Sequence, residues 1–347
     1  MSGKIYGQLR CYVTMKVVYL NDQFELQGNS VLALGFFDGI HRGHRKILEL
    51  ARDLAKEKGC SSGILTFPRH PVETLRPEVG FHYITTFEER ERIVATLGLD
   101  YFFLLQFDKV TANMPAEDFV NNILIKKLKI KAAVIGRDYR FGYQARGNKE
   151  MLKEMLEAVG GEVHVVEEIR ENNTKVGSTA IREDLMNGYI EAANYSLGRW
   201  YSLEGVVQSG KQRGRELGVP TANLDLPVYK IIPPEGVYCF FALFNGKLFK
   251  ALGSVGGRPT FGEYHPNIEI HLFDFHGNLY GKKLRVFFVH KMRDIVRFNS
   301  TDELVEQINK DKDAAREYMD AIPESEIERN LACCPYAHPE PSDFYVL

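Results

Sequence analysis

Near Trp200 the chain changes its period, and that change restricts it to two folded units of different class. Before that point, short apolar runs alternate with stretches at helical spacing. VLALGF (from Val31) reads as a buried strand ended by Asp38-Gly39. Ile47, Leu48, Leu50, Ala51, Leu54 and Ala55 then mark one face of a helix that Gly59 stops. SGILTF, YFFLLQF, KAAVIG and EVHVVEE repeat the strand signal. Helical patterns over Ala116–Lys127, MLKEMLEAVGG and Thr179–Met186 accompany them. Such alternation predicts a parallel sheet with helices on its faces. After Trp200 come YSLEGVV, GVYCFFALF, KLFKALGSV, IEIHLFDF and KLRVFFVH, separated by Gly, Pro and Asn turns. One helix follows, with Leu304, Ile308 and Ala315 on its apolar side. Many short strands with such turns predict a closed barrel. The fold class is therefore α/β plus all-β, with boundaries expected at 1–15 (a leader or remnant), 16–198, 199–322 and a loosely held tail at 323–347.

At 347 residues either half is long enough to bury its own core. The net charge of −2 supplies no field that would draw nucleic acid or an anionic membrane, so a polyanionic ligand needs a local site. No apolar run reaches the length of a membrane span, and the first residues lack the apolar core of a secretory signal. Cys11, Cys60, Cys239, Cys333 and Cys334 are odd in number and lack CxxC spacing. That pattern predicts neither a disulfide framework nor a zinc site, and a cytoplasmic location.

Two segments carry chemistry. The first, Gly35-Phe36-Phe37-Asp38-Gly39-Ile40-His41-Arg42-Gly43-His44, lies where a strand gives way to a helix. Histidines three apart in a first helical turn share a face, and the helix N-terminus favours phosphate. Gly39 and Gly43 allow close backbone approach. A lone histidine here could equally be a cap; HxGH after a strand and an FDG turn is more specific.

The second is Gly210 to Asn223, GKQRGRELGVPTAN. Successive backbone N–H groups around Gly210, Gly214, Arg215 and Gly218 can form an anion-binding nest. If extended, Thr221 and Asn223 alternate past Ala222, which puts their oxygens on one side, suited to a hard cation. Glu269 is a carboxylate between Ile268 and Ile270. It is either a solvent-facing strand residue or a general base.

FDGIHRGH resembles the HxGH signature of the nucleotidylyltransferases, and specifically of the bacterial bifunctional riboflavin kinase/FMN adenylyltransferase (FAD synthetase) family. Thr66-Phe67-Pro68-Arg69-His70-Pro71, Gly136-Arg137-Asp138-Tyr139-Arg140-Phe141-Gly142 and Gly177-Ser178-Thr179-Ala180-Ile181-Arg182 resemble further elements of that family in the same order. GRELGVPTANL, Gly236-Val237-Tyr238, Gly257-Arg258-Pro259-Thr260-Phe261 and the strand around Glu269 resemble its kinase half, and no Walker A sequence is present. The resemblance runs from about Lys16 to about Tyr318. Arg69, Gly177, Phe36 and Ser254 stand where the family more often has Pro, Ser, Asn and Asn.

The resemblance implies an N-terminal Rossmann-like nucleotidylyltransferase domain with a parallel sheet. It also implies a C-terminal riboflavin-kinase-like β-barrel with a terminal helix. The implied reactions convert riboflavin and ATP to FMN, then FMN and ATP to FAD and pyrophosphate, both with Mg²⁺. His41, His44 and Glu269 would be catalytic. Gly35, Phe37, Asp38, Gly39, Gly43, Ser178, Thr179 and Arg182 would bind ATP in the first half, and Gly210, Gly214, Arg215 and Gly218 in the second. Asp138, Arg140, Phe141 and Arg258 would contact flavin, and Thr221 and Asn223 would ligate Mg²⁺. Two alternatives are a flavin-binding regulatory protein and a riboflavin kinase with an impaired adenylyltransferase half. The partners expected are riboflavin, FMN and ATP, without nucleic acid or membrane.

Overall fold

The computed structural model describes residues 15–171, 174–208, 220–227, 229–260 and 263–332. Within them the chain divides into two compact units, 15–178 and 179–332.

The first unit is built on six strands: β1 (Lys16–Tyr19), β2 (Ser30–Leu34), β3 (Ser61–Thr66), β4 (Tyr101–Leu104), β5 (Ile130–Gly136) and β6 (Glu162–Val166). They form one sheet in the order β1-β4-β3-β2-β5-β6, and every neighbouring pair is parallel. A short antiparallel pair, β7 (Arg170–Glu171) and β8 (Thr174–Lys175), follows. β2 is buried along its whole length, as a strand covered on both faces must be. Val31 and Ala33 join the core under helix α1 (Arg42–Lys58) and helix α2 (Phe87–Ala95). Leu32 and Leu34 join the opposite core, with Phe119, Val120 and Leu124.

α1 ends where its sequence predicts, at Gly59 with φ 62° and basic residues in its last turn. The helix expected over Ala116–Lys127 becomes a π-helical stretch from Phe119 to Lys127 after a single α-turn. That wider winding still turns Phe119, Val120, Ile123 and Leu124 inward.

The second unit contains a closed antiparallel barrel in the order β10-β13-β12-β11-β14-β9. Its strands are β9 (Tyr201–Gln208), β10 (Ala222–Asp225), β11 (Gly236–Phe244), β12 (Lys247–Thr260), β13 (Glu263–Leu272) and β14 (Lys283–Arg293). Period-two alternation sends Tyr238 and Phe240 to one face, where both meet Phe288. Val237, Cys239, Phe241 and Leu252 face the other way. They form a second core with Trp200 and with Ala315 and Met319 of the long helix Thr301–Asp320, so theirs is the barrel's outer face. Burial pushes the Cys239 thiol up to about 12, which makes it a packing residue and not a nucleophile.

Two expectations about the C-terminal region change. The apolar side of the long helix shifts: Asp311, Ala315 and Met319 are buried, whereas Leu304 and Ile308 are only half-buried. Asp311 tolerates burial because Arg293 grips both its oxygens, at 3.0 and 2.6 Å. Residues expected to begin a loose tail instead form a helix, Glu324–Leu331, with Ile327 and Leu331 in the outer core. Apolar residues four apart supply the stripe that docks it. The tail from 333, with Cys333 and Cys334, and the leader before 15 lie outside the described residues.

Candidate functional site

In the parallel sheet, β2 connects toward β3 on one side while β5 lies on the other, so the strand order reverses between β2 and β5. Ligands of open α/β sheets bind at the carboxyl edge of such a switch point. Two of the expected motifs meet there: Gly35–His44 follows β2, and Arg137–Phe141 follows β5.

His41 is the N-cap of α1. Its Nδ1 accepts hydrogen bonds from the backbone N–H groups of Gly43 and His44, at 3.1 and 3.2 Å. In the neutral ring this places the proton on Nε2, an N–H donor of the kind a phosphate oxygen accepts from. The two imidazoles stack, with centroids 3.6 Å apart and planes at 20°. The cap engages Nδ1. Gly43 permits the arrangement, since a Cβ there would come within 3.1 Å of the His41 ring.

Other residues of this loop face inward. Asp38 is buried, and its carboxylate accepts from Ile84 N, Thr85 N and Thr85 Oγ1 at 3.0–3.1 Å. Expected beside ATP, it is occupied in fixing the loop. Phe37, also expected there, is buried with φ 58°; its ring underlies Gly35 and meets the edge of His44. Gly39 has φ 85° and donates its N–H to Thr85 Oγ1 at 2.9 Å. Ser178 Oγ donates to the Asp38 carbonyl at 2.9 Å, which ties the start of the GSTAIR segment to the same loop. Thr179 and Arg182 follow at a spacing of three on the helix Ser178–Asn187 and so share a face.

Beyond β5, Asp138 is exposed and ion-paired with Lys175, which holds its carboxyl below the ordinary range. Arg140 is exposed. Phe141, expected against flavin, is packed into the core on Phe119 and Tyr139. Its burial gives it the task of shaping the loop and removes its ring from an open face.

The sequence reading missed Arg90, on α2. It is 1% exposed, and its guanidinium donates to the carbonyls of Phe36 (3.0 Å), Pro68 (2.9 Å) and Phe67 (3.4 Å). It also lies over the Phe36 ring, 4.6 Å from its centroid. One cation thereby fastens the loop after β2 to the loop after β3. Burial lowers its pKa, and the Asp38 carboxylate opposes that shift. Nothing local distinguishes this Arg from the charged neighbours in its helix. The capping box Thr86–Glu89 just before it was the legible signal that a helix starts there.

Replacing Arg90 with Met takes the donor from the Phe67 and Pro68 carbonyls and leaves Phe36 only Thr66 Oγ1, at about 1–3 kcal/mol for each group left unsatisfied. We expect Arg90→Met to lower the first unit's melting temperature. Scanning calorimetry checks this; an unchanged transition would refute the role.

In the barrel, Asn223 on β10 lies directly opposite Glu269 on β13, and Glu269 lies opposite Ser254 on β12. Gln208 on β9 completes the row beside Asn223. Ser254 pairs with Val237 of the outer core, so the row lies on the barrel's outer face. Asn223 is buried and Glu269 half-buried. Asn267 Nδ2 donates to Glu269 Oε1 at 3.1 Å and to Asn223 Oδ1 at 3.0 Å. His271 Nδ1 contacts the Pro220 carbonyl at 2.9 Å, anchoring the chain just before Thr221. Burial holds this imidazole below its ordinary pKa, in the neutral form. Gly253 lets the strands close, since a Cβ there would lie 2.5 Å from the Glu269 carbonyl oxygen. Gly210, Gly214, Arg215 and Gly218 lie outside the described residues, as does the side chain of Arg258.

The oxygens of Asn223 and Thr221 fit a hard cation. The Asn223 amide oxygen is the atom turned toward Asn267, and the neighbouring Thr221 offers a hydroxyl; both are oxygen donors of the kind Mg²⁺ takes. Among the described residues no group of three or more His, Cys, Asp or Glu could hold a metal. A cation here would therefore take its remaining ligands from phosphates and water, the usual arrangement for Mg²⁺.

The FAD synthetase family model matches residues 23–180, and the riboflavin kinase family model matches 197–319. A bifunctional riboflavin kinase/FMN adenylyltransferase of Bacillus subtilis is 35% identical over 313 residues, covering 88% of this chain and 98% of the relative. The enzyme of the same description from Escherichia coli is 32% identical over 294 residues, covering 84% and 94%. The crystal structure of a protein described as a macrolide-efflux protein from Streptococcus pneumoniae superposes with a TM-score of 0.81 at 31% identity, covering 87% of this chain and 99% of that one. Among the described residues no helix is long and apolar enough to cross a membrane.

Proposed function

This chain belongs to the bifunctional riboflavin kinase/FMN adenylyltransferase family, and we propose that its two reactions divide between the HxGH edge of the parallel sheet and the Asn223–Glu269 row of the barrel. It phosphorylates riboflavin to FMN with ATP and adenylylates FMN to FAD with release of pyrophosphate. In this reading residues 16–198 form the adenylyltransferase domain and 199–322 the kinase domain.

In the barrel, Glu269 takes the proton of the riboflavin 5′-hydroxyl as that oxygen attacks the γ-phosphorus and ADP departs. Thr221 and Asn223 would hold Mg²⁺, whose charge offsets that of the phosphates. Gly210, Gly214, Arg215 and Gly218 are assigned to ATP, and Arg258 to the flavin. The observation that carries this assignment is the direct opposition of Asn223 and Glu269 on neighbouring strands. It sets a metal ligand and a proton acceptor side by side on one face.

At the sheet edge, a phosphate oxygen of FMN attacks the α-phosphorus of ATP. That step needs alignment and charge neutralisation rather than a covalent group from the protein. His41 donates from Nε2 to the triphosphate, and His44 stacks beside it. Gly35, Gly39 and Gly43 admit the phosphates, Ser178, Thr179 and Arg182 grip the departing pyrophosphate, and Asp138 and Arg140 border the flavin. Asp38, Phe37 and Phe141 act by shaping the loops.

The test is to incubate the purified full chain with riboflavin, ATP and MgCl₂ and to resolve the flavins by chromatography. We expect FMN to appear first and FAD to follow, with EDTA stopping both. FMN without FAD would overturn the assignment at the sheet edge, and riboflavin bound but unconverted would overturn both.

A further inference from the structure

Asn267 lies on the strand around Glu269 but is given no role by the motifs that mark the kinase half. It precedes Glu269 by two residues on β13 and so shares its face. Its single Nδ2 reaches two oxygens, Glu269 Oε1 at 3.1 Å and Asn223 Oδ1 at 3.0 Å. Those two side chains stand opposite each other on adjacent strands. Both present oxygen acceptors, one of them anionic, so without a donor between them they repel.

An amide NH₂ carries two hydrogens and can satisfy both acceptors at once. A hydroxyl at this position has one hydrogen to give, and a carboxylate has none. The shared amide also determines direction. With Oε1 engaged by Asn267, Glu269 keeps its second oxygen for a substrate hydroxyl. With Oδ1 engaged by Asn267, the Asn223 amide is held in one orientation.

We propose that Asn267 is a positioning residue for phosphoryl transfer, setting the orientation of the proton acceptor Glu269 against the Asn223 amide. The inference rests on the assignment of Glu269 and Asn223 given above. It deepens that assignment by adding the group that couples the two. Groups that orient metal ligands from outside the coordination sphere typically cost about 10–100-fold in activity when changed.

The experiment uses the full chain and the riboflavin-to-FMN reaction, with FMN adenylylation as the internal reference for folding. Asn267→Asp keeps the size of the side chain but removes both hydrogens. It is expected to lower kcat for phosphorylation by about 10–100-fold. The KM for riboflavin should change little, and adenylylation should stay at the parental rate. Asn267→Ser, with one hydrogen, should fall between Asp and the parent. In a Glu269→Gln background Asn267→Asp should add far less than it does alone, because the acceptor it orients no longer takes a proton.

A merely structural role would raise KM, or would add its full loss in the Glu269→Gln background; either result overturns the proposal. If Glu269→Gln is inactive while Asn267→Asp turns over at the parental rate, the positioning role alone falls. If Glu269→Gln itself turns over normally, the assignment beneath it falls as well.

Discussion

Glu269→Gln is expected to lower riboflavin phosphorylation by about 10²–10⁴-fold, the contribution of a positioned general base, and to leave FMN adenylylation unchanged. The substitution is nearly isosteric and retains the Oε1 acceptor for Asn267, so the row across β10, β13 and β12 keeps its geometry. What it removes is the capacity to hold the proton of the attacking hydroxyl. The loss should therefore fall on kcat, with riboflavin binding preserved. Measuring both half-reactions on one preparation, with FMN supplied for the second, separates this outcome from misfolding. Equal loss of both reactions in a folded variant would show that the two sites are not independent.

The double substitution His41→Ala/His44→Ala is expected to do the reverse. Removing a preorganised donor at developing charge typically costs about 10²–10³-fold, and here two stacked rings go together. Part of the effect is structural, because His41 caps α1 and an uncapped N-terminus costs about 1 kcal/mol. His41→Asn separates the two contributions. Asn is a good cap that can accept from the same backbone N–H groups, yet it does not place an Nε2–H donor beyond them. If His41→Asn restores the melting temperature but not FAD formation, the imidazole acts on the substrate. If it restores both, His41 is only a cap.

The paired acceptors explain why the kinase half depends on its barrel. Asn223 and Glu269 belong to strands far apart in the chain, and only closure of the barrel with β10 between β9 and β13 makes them neighbours. The sheet edge has the same character. Asp38, Thr85 and Arg90 meet because α2 packs behind the loop that carries His41, and their hydrogen bonds hold that loop before any ligand arrives. Preorganisation of this kind is what a transfer reaction without a covalent intermediate requires.

How far each feature could be read depends on the range of the interaction behind it. Gly59 and the apolar face of α1 were legible because capping and helical period act within a few residues. The row of strands after Trp200 was legible for the same reason, since alternation and turn residues are local. The inward turn of Asp38 and the core position of Phe141 were not. Each depends on a partner from another element: Thr85, Ile84 and Phe119 lie far along the chain. Arg90 and Asn267 escaped altogether, because an Arg in a charged helix and an Asn beside a strand carry no local mark of what they touch.

The amino-acid sequence alone thus determined the two fold classes and the change near Trp200, since periodicity and turn chemistry are written residue by residue. Only the tertiary structure decided which side chains of the loop after β2 turn inward to fix it. Hydrogen bonds between distant strands and helices select one orientation for each side chain, and no local pattern encodes that selection.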